Sequence, residues 1–228
     1  MKRVLAWKDL KDITKSLDNG AILEHLSIRD LPQKTTGSYV LLPATTMVFD
    51  LAGSSVSIRD HGALKFVARY QNMFRNLTDI IYDKEGIIEK FPGDGISMHF
   101  VQKDWEAESA ELCRRKAVEA AVEIIEYMFA EEDVTSRFRL SLAYGKDTIA
   151  TKIGSDHHLE WISIGHAVNV AHKLEKVIKK AGCLMGMDEA CFKALQACFP
   201  YGGGGIPYPM PKDLRRIQTT PENWYGFI

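Results

Sequence analysis

The chain has 228 residues, 46% of them hydrophobic and 26% charged, which is enough for one large domain with an ordinary core. Its net charge of −1 excludes the broad basic footprint that DNA or RNA binding needs. No apolar run reaches the ~18 residues of a membrane span. The basic start MKRVLAWKDLKDITKSL lacks the apolar stretch of a secretory signal. A cytoplasmic protein with no membrane partner is expected. Cys113, Cys183, Cys191 and Cys198 show no CxxC spacing and read as reduced thiols of the core or near-surface.

In chain order, residues 5–18 pattern as an amphipathic helix with Leu5, Leu10, Ile13 and Leu17 on one face. LPQKTTGSY, residues 31–39, reads as a linker, so residues 1–40 form a helix and linker ahead of a domain over 41–228. TTMVFDLAGSS, residues 45–55, is a buried strand around Asp50 that ends in a Gly-Ser-Ser turn. Leu64, Val67, Tyr70, Phe74, Leu77 and Ile81 recur at helical spacing over about 60–83. Residues 86–101 form a hairpin around Pro92-Gly93-Asp94-Gly95, and a second helix covers about 105–130 with Leu112, Ala117, Ala120, Ile124 and Met128 inward.

RFRLSLAYG, residues 137–145, alternates as a half-buried strand, with Arg139, Ser141 and Ala143 on its outer side. TIATKIG and LEWISIG are two more strands, and residues 166–182 make a strong helix with Gly182 as its C-cap. A short strand near 183–187, a helix near 188–197, a Gly/Pro loop or arm over 202–211 and an edge strand in NWYGFI complete the chain. The predicted class is α+β: one mostly antiparallel sheet with helices packed on it.

Asp50 ends a strand and Asp94 tips a hairpin, so neighbouring strands would bring the two carboxylates together at one end of the sheet. Hard oxygen ligands of this kind suit Mg²⁺ or Mn²⁺, with phosphates and water completing the shell. The Leu51 carbonyl offers a further ligand, and the N–H groups of Gly53, Ser54 and Ser55 can hold phosphates if a helix opens there. Taken singly, Asp50 reads as a helix cap and Asp94 as a turn residue. Asn169 and Lys173 lie four apart on one helix, so their side chains share a face. His166 and His172 flank this helix in surface or packing roles.

FDLAGSS, KFPGDG, LSLAYGKDTIATKIG and WISIGHAVNVAHKLE, in this order, resemble the motif series of class III nucleotidyl cyclases over about residues 45–190. The resemblance implies a ferredoxin-like palm core and a homodimer with composite active sites at its interface. It implies a nucleoside triphosphate substrate and two Mg²⁺ or Mn²⁺ ions per site, on Asp50 and Asp94. The ribose 3′-hydroxyl would attack the α-phosphate and release pyrophosphate. Lys146 falls where the family contacts the triphosphate, and Asn169 where it positions the ribose. Lys173 replaces the family's transition-state arginine and loses the bidentate fork.

Two family positions read the base, and here they are Lys90 and Ile162. Lysine only donates, and isoleucine offers nothing to an exocyclic amine, so a carbonyl-bearing base fits better than adenine or cytosine. The short chain with a brief N-terminal helix and no visible sensor resembles the pyrimidine cyclases of bacterial anti-phage (Pycsar) systems. That implies a cyclic UMP synthase, with cytidylate and adenylate cyclases as alternatives. The non-enzyme alternative is a degenerate cyclase fold that senses nucleotides or dimerises. Lys173 favours it and the retained Asp50 and Asp94 oppose it. PGDGIS does not supply the Gly-Gly-Asp/Glu-Glu-Phe turn of diguanylate cyclases.

Overall fold

The computed structural model describes residues 39–41, 43–52, 58–59, 62–104, 106–130, 137–155, 157–199, 215–218 and 224–227. The helix expected over 5–18, Gly53, Ser54, Ser55 and the Gly/Pro segment 202–211 lie outside them. The elements are β1 (Tyr39–Leu41), β2 (Ala44–Ala52), α1 (Ala63–Asp83), β3 (Ile87–Lys90), β4 (Gly95–Val101), α2 (Ala107–Ala130) and β5 (Arg137–Gly145). They continue as β6 (Ile149–Ser155), β7 (His158–Ile164), α3 (His166–Ala181), β8 (Met185–Asp188), α4 (Glu189–Cys198), β9 (Arg215–Gln218) and β10 (Trp224–Phe227). The α+β class is as predicted. Among the described residues no helix is long and apolar enough to cross a membrane.

The strands form two sheets rather than the single one expected. A seven-stranded sheet runs β3-β4-β2-β5-β8-β10-β9, and only its β5–β8 pairing is parallel. β6 and β7 pair with each other and with β1 as a separate three-stranded antiparallel sheet. NWYGFI is not an edge either: β10 lies between β8 and β9. Among the described residues the edge on that side is β9, Arg215–Gln218, and the opposite edge is β3.

Strand alternation sends Met47, Phe49 and Leu51 of β2 into one core with Ile96, Met98 and Phe100 of β4 and Phe138, Leu140 and Leu142 of β5. Helices α1 and α2 cover that face through Phe74, Leu77, Ile81, Ala117, Ile124 and Met128. On the other face Val48 and Ala143 pack against Val170, Ala171 and Leu174 of α3. β5 is therefore not half-buried: Ser141 and Ala143 are 0% exposed because α3 lies over them.

Two helical expectations also shift. Leu64 is 89% and Val67 48% exposed, so the apolar stripe of α1 runs beyond what the described elements cover, and Met73 joins the core in their place. On α2, Leu112 is only half-buried and Cys113 takes the inward position. Gly182 does cap α3 in the left-handed conformation, with φ at 69°. The four cysteines are free thiols, three of them buried.

The closest backbone approach near the hairpin is at Gly95, where a Cβ would stand 2.6 Å from the Phe49 carbonyl oxygen. Gly95→Ala is expected to cost about 1–3 kcal/mol of unfolding free energy, the scale of overpacking. Urea denaturation measures it, and an unchanged midpoint would mean that β4 backs away from β2 freely.

Candidate active site

β2 pairs with β4 on one side and β5 on the other, in a register that sets Asp50 opposite both Gly95 and Arg139. Asp94 precedes Gly95, and its carbonyl accepts a hydrogen bond from Leu51 N at 3.3 Å. The register and this bond bring the backbones of two aspartates distant in sequence together at one end of the sheet, close enough for Asp94 to act on the Asp50 carboxyl. The hairpin tip is held twice. Gly95 N donates to Pro92 O at 3.1 Å, a turn made possible by the left-handed Gly93, with φ at 62°. From α1, Tyr70 Oη donates to Gly93 O at 2.8 Å, and its ring stacks on Phe74 at 4.0 Å.

The local charge balance is acidic. Arg139 Nη1 bonds Asp50 Oδ2 at 2.7 Å and reaches Glu175 Oε1 of α3 at 3.5 Å. Burial raises the Asp50 carboxyl above its usual range, Glu175 and Asp94 raise it further, and Arg139 and Lys179 pull the other way. Burial, with Asp94 nearby, also pushes the Tyr70 phenol up to about 12. Among the described residues no group of three or more His, Cys, Asp or Glu gathers into a complete metal cage. Two adjacent aspartates short of positive charge fit a hard divalent cation whose remaining ligands come from a backbone carbonyl, phosphates and water.

Leu51 is buried in β2 beside Asp50. Lys90 ends β3, its ammonium 3.8 Å from Glu89 Oε1. Ile162 is half-buried in β7 opposite Thr151, and the next residue, Ser163, donates its N–H to Glu89 Oε1 at 2.6 Å. Lys90 and Ile162 are thereby neighbours of a directly bonded pair. Lys146 is exposed in the turn between β5 and β6. Asn169 and Lys173 are exposed on α3 while Val170, Ala171 and Leu174 face inward, and neither side chain hydrogen-bonds to Asp50 or Asp94. His166 is exposed, and its N–H bonds the Asp147 carboxylate at 3.2 Å. His172 is half-buried, and burial lowers its pKa, with Glu89, Lys90 and His99 close enough to be felt.

Sequence reasoning missed Arg139, Glu89, His99, Tyr70 and Glu175. Arg139 carried one signal, as the only charge inside the apolar alternation after Phe138.

No protein-family profile matches the chain, and no curated protein matches it. Solved structures do resemble it in fold. Two structures of a bacterial light-regulated adenylyl cyclase, each 18% identical, superpose with TM-scores of 0.59 and 0.62 over 84% and 96% of this chain. The chain spans only 53% and 62% of those proteins. The adenylyl cyclase CyaB from P. aeruginosa is 15% identical, with a TM-score of 0.59 over 84% of this chain and 96% of its own. The guanylate cyclase domain of RhGC from Catenaria anguillulae, solved in complex with GTP, is 16% identical, with a TM-score of 0.60 over 84% of this chain and 98% of its own. The chain shares the fold of these cyclase domains.

A carboxyl whose pKa is raised on folding destabilises the fold when ionised, so stability falls as pH rises through that folded pKa. Asp50→Asn is therefore expected to leave the metal-free protein at least as stable near pH 7. Mn²⁺ is expected to raise the melting temperature of the wild type, and the same change to abolish that rise. Thermal scans in EDTA and in Mn²⁺ check both, and a wild type indifferent to Mn²⁺ would remove the cation from this site.

Proposed function

We propose that the protein is a nucleotidyl cyclase that converts a nucleoside triphosphate, UTP foremost, into the 3′,5′-cyclic nucleotide and pyrophosphate. The observation that carries this reading is the pairing of Asp50 with the Asp94 hairpin at the end of β2, an interior strand of a cyclase fold. Asp50, Asp94 and the Leu51 carbonyl would hold two Mg²⁺ or Mn²⁺ ions. When bound, these ions would lower the cost of ionising the ribose 3′-hydroxyl and neutralise charge on the phosphates. The 3′-oxygen forms its bond to the α-phosphorus as the bond to the bridging oxygen breaks, and pyrophosphate leaves with the electron pair.

The chain's own residues orient and neutralise. Arg139, already paired with Asp50, keeps positive charge at the edge of the phosphate region. Gly53, Ser54, Ser55 and Lys146 would bind the triphosphate. Asn169 and Lys173 lie one turn apart on an exposed face, which supports their presentation to a second copy of the chain. In that homodimer Asn169 positions the ribose of the partner's nucleotide, and Lys173 brings charge to the reacting phosphorus.

Lys90 and Ile162 would flank the base. Glu89, the carboxylate nearest Lys90, is 1% exposed and already bonded, so it offers nothing to an exocyclic amine. A donor lysine beside an apolar side chain supports a carbonyl-bearing pyrimidine, uracil ahead of cytosine. Such a product suits a second messenger, and the resemblance to Pycsar cyclases supports a role in bacterial anti-phage defence in the cytoplasm.

The test is incubation of the purified protein with each of UTP, CTP, ATP and GTP and Mn²⁺, with the products resolved by chromatography. Cyclic UMP is expected to dominate, and Asp94→Ala to reduce it roughly a thousandfold. Ile162→Asp should shift preference toward amine-bearing bases. Dominant cyclic AMP would sink the pyrimidine assignment, and no cyclic product from any triphosphate would leave a nucleotide-sensing module.

A further inference from the structure

β3 loses register at its end. Ile88 pairs with Met98 and Lys90 with Ser97, which leaves Glu89 as the extra residue of a bulge. The Glu89 side chain is 1% exposed. Its Oε2 accepts from Ser97 Oγ at 2.9 Å and faces His99 Nε2 at 3.4 Å, while its Oε1 accepts from Ser163 N at 2.6 Å. His99 is itself fixed by Thr46 Oγ1 at 3.1 Å. Burial alone would raise this carboxyl, but His99, Ser163 and Ser97 hold it down at about 2. A buried ion pair replaced as a whole by apolar residues often costs no stability, so what singles out Glu89 is the geometry of its partners. Ser163 belongs to β7 in the three-stranded sheet and Glu89 to the seven-stranded one, so this bond crosses between sheets.

We infer that Glu89 is a positioning residue for base recognition: its carboxylate staples the two sheets together and sets the separation of Lys90 and Ile162. The inference rests on the cyclase reading above. Both oxygens of Glu89 are engaged inside the protein, so it acts through its neighbours and not on the ligand. Lys90 follows Glu89, and Ile162 precedes Ser163, so the two base-facing positions move only as far as this bond allows. The same staple steadies the start of α3, which begins three residues after Ser163 and carries Asn169 and Lys173. The bulge sets Lys90, rather than Glu89, opposite Ser97, so it fixes where the residue after the staple sits along β4.

The test is equilibrium binding of UTP, CTP, ATP and inorganic tripolyphosphate, with Ca²⁺ as a cation that permits binding, to wild type, Glu89→Asp and Glu89→Gln. Aspartate keeps the charge but is one methylene too short to reach Ser163. It is expected to weaken UTP about tenfold, the scale of one lost buried hydrogen bond, and to flatten the preference for UTP over CTP and ATP. Tripolyphosphate, which has no base, should bind it as it binds wild type. Glutamine still offers an oxygen to Ser163 N–H and should stay within about threefold of wild type. Unchanged UTP discrimination in Glu89→Asp overturns the inference, as does equal weakening of UTP and tripolyphosphate. If these binding shifts appear but wild type makes no cyclic product in Mn²⁺, the staple stands and the proposed reaction falls.

Discussion

The site depends on one strand being buried on both faces until its second-last turn of side chains. From Ala44 to Phe49 every residue of β2 is buried, and Asp50 is the first to open. Phe49 and Leu51 anchor it to the core beneath α1 and α2, and Val48 to α3 on the opposite side. A strand gripped this way cannot slip, because a one-residue slip would turn Phe49 and Leu51 out and Asp50 in. The register therefore fixes Asp50 against the Asp94 hairpin on one side and Arg139 on the other.

That arrangement runs against local electrostatics. Burial and two neighbouring carboxylates disfavour the ionised form of Asp50, and one guanidinium answers only part of it. Perturbed carboxyls of this kind cluster at functional sites, which supports the metal-binding role proposed for Asp50 and Asp94. The Tyr70 bond to Gly93 fits the same logic, since it holds the hairpin in place whether or not the carboxylates repel.

The parts legible in sequence were those with a local signature. The Pro-Gly-Asp-Gly turn, the apolar flanks of Asp50 and the spacing of Val170, Ala171 and Leu174 each declare their element without knowledge of the rest. What escaped were the consequences of pairing between distant strands. Ser141 and Ala143 look like a solvent face until α3 lies across them. Arg139 looks like a surface charge until register sets it against Asp50. Leu64 and Val67 continue a helical stripe whose covering ends sooner than the pattern does. Alternation turns Glu89 away from the core-facing Ile88, but its partners Ser97, His99 and Ser163 lie on other strands, so nothing in IIEK announces a buried carboxylate.

The division of residues along the chain bears on why a second copy enters the proposed mechanism. Asp50, Asp94 and Arg139 converge within one copy through the sheet register. Asn169 and Lys173 stand on the face of α3 turned away from the core that Val170 and Leu174 fill. On α3 the residues beside Asn169 and Lys173 are buried against β2 and β5, and it is Glu175, not Asn169 or Lys173, that reaches the Arg139–Asp50 pair. In the proposed homodimer each chain would carry the metal half of one site and the ribose half of the other. Lys90 and Ile162, tied together through Glu89 and Ser163 and leading into α3, belong with the ribose half. Base recognition and ribose positioning would thus arrive as one unit, separate from the carboxylates proposed to hold the metal ions.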